Sequence, residues 1–349
     1  MGAVELGDSR RNERAVAVGM ALAANPGGSL PEQMQGWNEL RAVYRLLNEA
    51  DVSHEKLSAP HRAQTCERAK QAKSAVVLFI QDTSELSYSR EQPRPGLGII
   101  GKGTSYGLLL RSCLAVIPRP GNPEILGVAA QHVWARSATA QHQGSGSKRQ
   151  AQRSAGDKWA ESIEAIGTAP VQNAPVWVSV GDRESDVFSY LRRCRQSQWQ
   201  SLVRVSQNRV VTTEQQTRSH LKTYARSLEV QSQKTLSLRG REGEPKRTVV
   251  LNLAWAKVTV HPPQGGPERQ AAPISMWCIR CWEDAPDGLE WILLTTLDPA
   301  LYSPALQVEW YGTRWLIEEY HKCLKTGCRV EQRQLETAAG VDATVGLFD

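Results

Sequence analysis

Two apolar segments, each followed directly by an aspartate, constrain the fold of this chain more than any other feature. The first, VVLFIQ, ends at Asp82, and the second, VWVSVG, ends at Asp182. Short continuous apolar runs of this kind are typical of central strands that are buried on both faces of a sheet. Such strands occur in α/β proteins, in which helices cover both sides of the sheet. We therefore predict an α/β core with an aspartate at the exit of each of these buried strands.

The order of the predicted elements around these strands indicates a ribonuclease-H-like core. The strand before Asp82 is followed by LLLRSCLAVIP and EILGVAAQHVWAR, which favour two further strands. A Ser/Gly/Gln-rich linker at 137–150 comes next, then a predicted helix at 151–167, the strand before Asp182, a helix and the strand QSLVRVS. Three hairpin-like strands followed by helix, strand, helix and strand are the order of the ribonuclease-H-like fold.

Changes in composition divide the chain into four predicted parts. Residues 1–70 have helical spacing and several arginines, which predicts an N-terminal helical DNA-binding domain, with an ordinary solvated helical surface as the alternative. Residues 71–205 and 291–349 are the first and second parts of the catalytic core, and the second part contains a long predicted helix at about 304–326. Between them, residues 206–290 alternate like β-strands and predict an inserted β-rich subdomain.

The segment 311–325, YGTRWLIEEYHKCLK, carries a dense group of charged and aromatic side chains. Four of them are spaced i, i+3, i+7 and i+14: Tyr311, Arg314, Glu318 and Lys325. On a continuous helix, at roughly 100° per residue, this spacing places all four on one stripe. A carboxylate flanked by a phenol, a guanidinium and an ammonium group suits a metal held next to phosphates. A solvated charged face is the alternative, but the intervening apolar residues leave little room for one.

We predict that Asp82, Asp182 and Glu318 form one site. Two strand-end aspartates on adjacent strands could share a divalent ion, and a glutamate on a helix across the sheet edge would supply the third carboxylate. Hard oxygen ligands of this kind select Mg²⁺ or Mn²⁺ over zinc. Taken singly, each aspartate could instead cap a turn or a helix. The nearby Asp186 is interpreted as a charge at a helix start.

Charge and cysteine usage favour a cytoplasmic protein with a polyanionic partner. The net charge is +6 at pH 7, and basic residues outside the motif fit a DNA path: Lys102, Lys148, Arg149, Arg204 and Arg209. The seven cysteines are scattered, which indicates reduced thiols in a cytosol. Cys278 and Cys281 form a CxxC pair, which we interpret as part of a strand rather than as zinc ligands. No apolar run approaches the roughly 18 residues of a membrane helix.

Three motifs together produce a family resemblance. VLFIQDTSELSYS, VSVGDRESDVFSYL and the pattern Y-x2-R-x3-E-x6-K within 311–325 resemble the DDE transposases of insertion sequence family four, the group that contains the Tn-five transposase. The similarity covers essentially the whole chain, from LGDSRRNER to KTGCRVEQRQLET. It implies a ribonuclease-H-like core with a β-rich insertion before the glutamate. It also implies cut-and-paste transposition, in which ends are cleaved through a DNA hairpin and then joined to target DNA.

The resemblance implies roles for individual residues as well. The ligands of two Mg²⁺ or Mn²⁺ ions would be Asp82, Asp182 and Glu318. The contacts to transposon-end phosphates would be Tyr311, Arg314 and Lys325. Trp291 in EWILLT matches the family's tryptophan that stacks on a flipped-out base, and such stacking contributes roughly 1–3 kcal/mol per base. A tryptophan of the hydrophobic core is the alternative for this position.

The resemblance further implies partners and an oligomeric state. Family members act as homodimers on transposon-end and target DNA, and one subunit cuts the end that the other binds. They continue beyond the glutamate helix into a C-terminal dimerisation region, which this chain is expected to lack because its sequence ends at Asp349. Two alternatives therefore stay open. One is a non-transposing DNA-binding or inhibitory protein, and the other is a ribonuclease-H-like nuclease unrelated to transposition. We expect a bacterial, nucleoid-associated protein without a membrane partner.

Overall fold

One mixed β-sheet runs through the computed structural model, which describes residues 3–89, 95–101, 105–136, 158–172, 174–238, 247–333, 335 and 337–348. Within these ranges the sheet has 12 strands. They are β1 (Val76–Ser89), β2 (Gly98–Ile100), β3 (Ser105–Ile117), β4 (Glu124–Trp134), β5 (Val176–Gly181), β6 (Gln200–Arg204), β7 (Val210–Thr213), β8 (Arg218–His220), β9 (Ser232–Leu238), β10 (Arg247–Val260), β11 (Ile274–Glu283) and β12 (Glu290–Thr295).

The part of the sheet next to Asp82 and Asp182 has the strand order β4-β3-β1-β5-β6. β1 pairs antiparallel with β3, and β3 pairs antiparallel with β4. On its other side β1 pairs parallel with β5, which in turn pairs parallel with β6. The predicted α/β class is confirmed, and this arrangement is consistent with the predicted ribonuclease-H-like core.

Strands from the predicted insertion at 206–290 extend the same sheet. β12 pairs with β6 on one side and with β11 on the other, and β10 follows β11. The two halves of the long β10 have different neighbours, because residues 258–260 pair with β7 and residues 247–253 pair with β9. Among the described residues, the sheet is therefore continuous from core to insertion. The division into subdomains stays a prediction.

Helices cover both faces of the sheet. They are α1 (Ser9–Ala24), α2 (Leu30–Gln33), α3 (Trp37–Leu47), α4 (His54–Lys70), α5 (described over 158–166), α6 (Phe188–Gln196), α7 (Leu221–Ser227), α8 (Pro304–Gly312), α9 (Trp315–Lys322) and α10 (Ala338–Gly346). Buried side chains of α5, α6 and α7 join one core, and those of α8 and α9 join the core on the opposite face. In the described ranges, no helix combines the length and apolar character needed to cross a membrane.

The covering of both faces explains the continuous apolar runs. Side chains alternate along β1, so Phe79 joins the core that contains Trp177, whereas Ile80 joins the core that contains Val180. The rings of Phe79 and Trp177 lie 4.8 Å apart between centroids, and Trp199 lies 4.5 Å from Phe79. A polar residue on either face would be buried, which is why the strand shows no alternation in its sequence.

The four helices at the start of the chain, α1–α4, form a head with its own buried cluster. Leu22 of α1 and Val43 of α3 pack there with Leu108 of β3 and Val341 of α10. α4 lies against β4, and α10 lies against α3 and α4. The head therefore contacts both the sheet and the last helix of the described chain.

The helix predicted at about 304–326 is not continuous, and in this respect the prediction is wrong. α8 ends at Gly312, α9 begins at Trp315, and Cys323–Gly327 form a π-helical turn. At the break, the Thr313 hydroxyl donates to the carbonyl of Trp310 at 2.6 Å. Threonine favours such an interruption because its hydroxyl bonds to a carbonyl of the preceding turn.

The break separates the residues of the motif. Tyr311 lies near the end of α8, Arg314 immediately precedes α9, Glu318 lies in the first turn of α9, and Lys325 lies in the π-helical turn. The four residues therefore do not lie on one continuous helix, although Arg314 still pairs with Glu318 and interacts with Tyr311.

Candidate active site

The pairing of β1 with β5 sets the relative position of the two aspartates. The parallel register aligns Ile80 with Val180. Asp82 and Asp182 each follow by two residues, so the carboxylates lie at one level and on the same face of the sheet. The backbone at Asp182 is still extended, with φ −77° and ψ −161°. This face is the one that α8 and α9 cover.

Asp82 lies within β1, not at the end of the strand as predicted. β1 runs on to Ser89 because β3 keeps pairing with it, and Asp82 stands opposite Ser112 in that ladder. Only the pairing with β5 has ended at this level. Asp82 Oδ1 accepts the backbone N–H of Thr83 at 2.8 Å. The carboxylate is therefore held by a strand that is fixed from one side and open on the other.

Asp182 caps the short 3-10 turn Arg183–Ser185. Its Oδ1 accepts the N–H of Glu184 at 2.8 Å, and its carbonyl accepts the Ser185 hydroxyl at 2.6 Å. A Cβ at Gly181 would lie 2.4 Å from Ser185 Oγ, so this tight turn requires glycine. The cap uses only one carboxylate oxygen. Asp182 can therefore cap this turn and still belong to the candidate site.

Arg314 links carboxylates from two elements. Its Nη1 donates to Asp82 Oδ2 at 2.9 Å, and its Nη2 donates to Glu318 Oε1. Glu318 lies in the first turn of α9, where the helix dipole favours a negative charge. The Glu318 side chain is 55% exposed, whereas those of Asp82 and Arg314 are 20% and 21% exposed. One guanidinium thus joins β1 to the covering helix at the edge of solvent.

The pKa of Asp82 reflects the charges of the other two carboxylates. Burial raises the pKa of Asp82 to about 6; Arg314 lowers it, and the charges of Asp182 and Glu318 raise it. Burial lowers the pKa of Arg314, but Tyr311, Glu318 and Asp82 more than offset this, so its pKa is raised overall. Clustered carboxylates whose repulsion a cation relieves are typical of a cation-binding or catalytic site.

The donor set fits a hard divalent cation. Carboxylate oxygens are the ligands that Mg²⁺ and Mn²⁺ prefer. Within the part of the chain that the structure describes, no three acidic, histidine or cysteine side chains lie close enough together to hold one ion. Arg314 supplies the compensating positive charge instead. A metal role for Asp82, Asp182 and Glu318 therefore stays a prediction, supported by the chemistry of the donors.

Tyr311 and Trp291 pack against each other beside the carboxylates. Their rings meet edge to face, with centroids 5.0 Å apart and planes at 72°. Tyr311 is only 4% exposed. Burial raises the pKa of Tyr311, and Arg314 and Arg204 lower it in part. Trp291 is half-buried on β12 and borders the core, so its stacking on a DNA base stays a prediction.

Two further predicted DNA contacts lie on either side of this site. Arg204 ends β6, and its Nη2 donates to the carbonyl of Glu290 at 3.3 Å. Lys325 lies half-buried in the π-helical turn after α9. Both positions are next to elements that carry the carboxylates. The other predicted contacts on the DNA path lie outside the described residues: Lys102, Lys148 and Arg149.

Arg209 is engaged by a buried aspartate. Its Nη2 donates to the side chain and the carbonyl of Asp186. Asp186 also accepts the N–H groups of Ser206 and Gln207, each at 2.8 Å. The interpretation of Asp186 as a helix-start charge is therefore wrong, because its carboxylate ties the loop after β6 to the turn before α6. A DNA contact for Arg209 stays a prediction, with its guanidinium committed to this ion pair.

The CxxC pair does not share a site. Cys278 faces the core that contains Phe79, and Cys281 faces the opposite core. Burial raises the pKa of both thiols to about 12. One metal ion cannot be held by two side chains on opposite faces of a strand.

Arg111 is a site-adjacent residue that the sequence analysis missed. It lies on β3 at 2% exposure, and its Nε and Nη2 donate to the Thr83 hydroxyl at 3.0 and 2.9 Å. Its guanidinium carbon lies 4.4 Å from the centre of the Trp159 ring. Burial lowers the pKa of Arg111 to about 10. The available signal was a single charged residue inside the apolar run LLLRSCLAVI, since a cation is buried there only for a specific contact.

The strand order of this sheet, the two aspartates at one level and the glutamate on a covering helix are consistent with the predicted ribonuclease-H-like core. Comparison with protein-family models agrees. A family described as "Transposase DDE domain" matches residues 169–347, and one described as "Transposase DNA-binding" matches residues 1–52. The chain belongs to the DDE transposase family.

The two matched ranges include only some of the candidate residues. Asp182 and Glu318 lie within residues 169–347, whereas Asp82 lies outside both matched ranges. Membership establishes DNA as the partner and divalent-cation use in general terms. The narrower assignment to insertion sequence family four, and the roles of individual residues, stay predictions.

Proposed function

We propose that the protein is a transposase of insertion sequence family four that cleaves element ends through a DNA hairpin and joins them to target DNA. The alignment of Asp82 with Asp182 on neighbouring parallel strands, with Arg314 joining Asp82 to Glu318, carries this proposal. The spacing of the motif at 311–325 supports the narrower family.

Asp82, Asp182 and Glu318 would hold two Mg²⁺ or Mn²⁺ ions. Bound there, the ions would activate the attacking oxygen and stabilise the leaving oxygen of the phosphodiester. Asp82 lies within a strand, Asp182 follows the end of a strand and Glu318 lies on a helix. These elements fix the spacing of the three carboxylates. Arg314 pairs with both Asp82 and Glu318, and its guanidinium would be available to a DNA phosphate once those carboxylates held metal.

The DNA contacts follow from the same arrangement. Arg314 and Arg204 offer guanidinium groups that suit bidentate contact with phosphate oxygens. Lys325 adds a point charge beyond Glu318, and the Tyr311 phenol lies between the two arginines. Trp291 would stack on the base that leaves the duplex when the hairpin forms.

Each part of the chain has its own proposed role. Residues 1–70 bind the element end, residues 71–205 and 291–349 perform the chemistry, and residues 206–290 form the inserted subdomain. The partners are transposon-end and target DNA, with a homodimer as the active form. The proposed location is the bacterial cytoplasm, at the nucleoid.

The direct test is incubation of the purified protein with DNA that carries the terminal repeats flanking its gene, with Mg²⁺ or with EDTA. We expect nicks and hairpin ends only with Mg²⁺. Binding without cleavage would support a non-transposing DNA-binding protein. Cleavage of any duplex or hybrid, regardless of its ends, would support a nuclease unrelated to transposition.

Substitution of each carboxylate tests the assignment of the site. Asp82→Ala, Asp182→Ala and Glu318→Ala should each lower the rate of end cleavage at least about a thousandfold, because each removes a group that acts only in the chemical step. End affinity in gel-shift titrations should change little. The matched control is Asp284→Ala, an exposed carboxylate after β11, which should cleave like the wild type. Normal cleavage by any of the three variants removes that residue from the site.

A further inference from the structure

A cleft lined by basic side chains opens beside the carboxylates. Its charged lining residues are Arg183, Arg204, Lys222, Arg226 and Glu290. Arg183 directly follows Asp182 in the chain, and Arg204 ends the strand that pairs with β5. The cleft therefore begins where the candidate active site ends.

The single carboxylate among these lining residues is already neutralised. Glu290 accepts from Arg226 Nη2 at 2.6 Å and from Arg280 Nε at 2.9 Å. Lys222 Nζ donates to the carbonyl of Ser206 at 2.7 Å, which carries no net charge. Among the described residues, three of the lining cations have no carboxylate partner: Arg183, Arg204 and Lys222.

Burial makes this uncompensated charge costly. Arg204 and Lys222 are both half-buried, and burial lowers the pKa of Arg204, with Arg183 lowering it further. A half-buried cation whose partners are neutral oxygens loses hydration without gaining an ion pair. An anion in the cleft offsets that loss for several cations at once.

The position of the cleft relative to the carboxylates indicates which class of anion fits there. In the strand order β3-β1-β5-β6-β12, the carboxylates lie on β1 and at the end of β5, and the cleft lies at β6 and β12. Lys325 lies on the opposite side, because it follows α9, which packs on β1 and β3. A DNA strand whose scissile phosphate lay at the carboxylates would extend toward Lys325 in one direction and into the cleft in the other.

We propose that this cleft binds a phosphodiester of the DNA strand being cut, next to the scissile phosphate, and that Lys222 and Arg183 are contact residues. The identity of the strand rests on the proposed function. Lys222 reaches the cleft from α7, which belongs to the extension of the sheet at 206–290. That segment therefore supplies a wall of the DNA path, not only a scaffold.

The salt dependence of DNA binding measures the predicted contact. The probe is a duplex that the wild-type protein selects from a random pool, with affinity measured over a range of salt concentrations. Each neutralised phosphate contributes about 0.9 to the slope of log K against log salt. Lys222→Met should lower that slope by about 1 and Lys222→Arg should restore it, whereas Lys257→Met, at an exposed lysine of β10, should leave it unchanged. Thermal unfolding of each variant confirms its fold.

Phosphate ethylation maps the contact on the DNA. Ethylation of the contacted phosphate should weaken binding of the wild type and of Lys257→Met. It should weaken binding of Lys222→Met less, because that variant has already lost one of the contacts. Arg183→Gln should become less sensitive at the same phosphate or at its neighbour. The same interference pattern and salt slope in Lys222→Met as in the wild type would overturn the proposal.

Two controls separate this proposal from its alternatives. If inorganic phosphate at constant ionic strength binds the wild type but not Lys222→Met, yet does not compete with DNA, the cleft is a site for free phosphate and the proposal is wrong. If the wild type binds DNA but never cleaves it, the proposed function fails. The ethylation pattern in that case still decides whether the cleft contacts the backbone.

Discussion

Arg314 is the residue on which the chemistry of the cation-free site depends. It contacts Asp82 and Glu318 at once, and the pKa of Asp82 stays raised even so. The main cause of this raised pKa is burial of the Asp82 carboxyl, and the charges of Asp182 and Glu318 add to it. A divalent cation bound here would stabilise the charged carboxylates.

Removal of Arg314 should make the fold more dependent on metal. Arg314→Ala leaves Asp82 and Glu318 without their common partner, so we expect a loss of about 1–3 kcal/mol in the free energy of unfolding with EDTA present. Mg²⁺ should then raise the melting temperature of the variant more than that of the wild type, because binding stabilises the folded state. Equal shifts in the two proteins would mean that Arg314 and the cation do not compete for these carboxylates. Arg269→Ala, at an exposed arginine, is the matched control.

Asp82 should reduce stability at neutral pH in the absence of metal. Its pKa in the folded protein is raised from 3.8 to about 6, so the folded state holds a proton that the unfolded chain has already released. The free energy of unfolding therefore falls as the pH rises from about 4 to 6, and the cost is complete above that range. Asp82→Asn should stabilise the metal-free protein by about 1–2 kcal/mol at pH 8, less at pH 5, while abolishing cleavage. Chemical denaturation at both pH values measures this, and the exposed Asp284→Asn should show no such gain.

At the scale of single elements, a buried polar network fixes the helix that carries Glu318. His321 of α9 contacts the Ser112 hydroxyl at 3.2 Å, and Gln131 donates to the same hydroxyl at 3.1 Å. Gln131 also donates to the Tyr320 hydroxyl at 2.7 Å, and its Oε1 contacts His54 of the head at 2.6 Å. The register of α9 against β3 and β4 is thus set by hydrogen bonds as well as by apolar contacts.

The network predicts a loss of stability in acid. Burial lowers the pKa of His321 from 6.5 to about 4, and Lys325 lowers it further. Below pH 6.5 His321 takes up a proton in the unfolded chain but not in the folded protein. The free energy of unfolding therefore falls as the pH drops from 6.5 toward 4. His321→Gln should flatten the pH dependence of the free energy of unfolding between these values by about 2 kcal/mol. The exposed His220→Gln should keep the wild-type slope, and an unchanged slope in His321→Gln would contradict the assignment.

Strands were easier to predict than helices for a physical reason. The runs before Asp82 and Asp182 are apolar because both faces are covered, and that property is local. The break between α8 and α9 depends on one threonine hydroxyl, which a pattern of helical spacing does not register. The ion pair of Asp186 with Arg209 joins residues on different elements. Such pairs cannot be found before the tertiary fold is known.

At the scale of the whole molecule, buried contacts join the head to the segment that follows Glu318. Arg333, at 5% exposure, donates to Gln33 Oε1 at 2.7 Å and to the carbonyl of Pro26 at 3.1 Å. It also donates to the carbonyl of Cys328 at 3.1 Å. The matched DNA-binding range at 1–52 and the catalytic range are therefore connected through one buried guanidinium.

A double-mutant cycle measures this connection. Arg333→Met should lower the free energy of unfolding by about 2–4 kcal/mol, because it leaves the Gln33 amide oxygen and the carbonyls without their donor. Gln33→Leu should cost less, and the double variant should show a coupling energy of about 0.5–3 kcal/mol. Additive effects in urea denaturation would mean that the two side chains do not act together.

Asp82 and Asp182 lie at one level on neighbouring strands. Only some insertions and deletions in the gene would preserve that alignment. Side chains alternate along a strand, so the loss or gain of one codon between the start of β1 and Asp82 would turn the carboxylate toward the opposite core. The same change in the turns beyond the strands would leave the pairing intact. Surviving insertions and deletions among descendants of this gene should therefore fall in its turns, while the six-residue approaches to both aspartates keep a constant length.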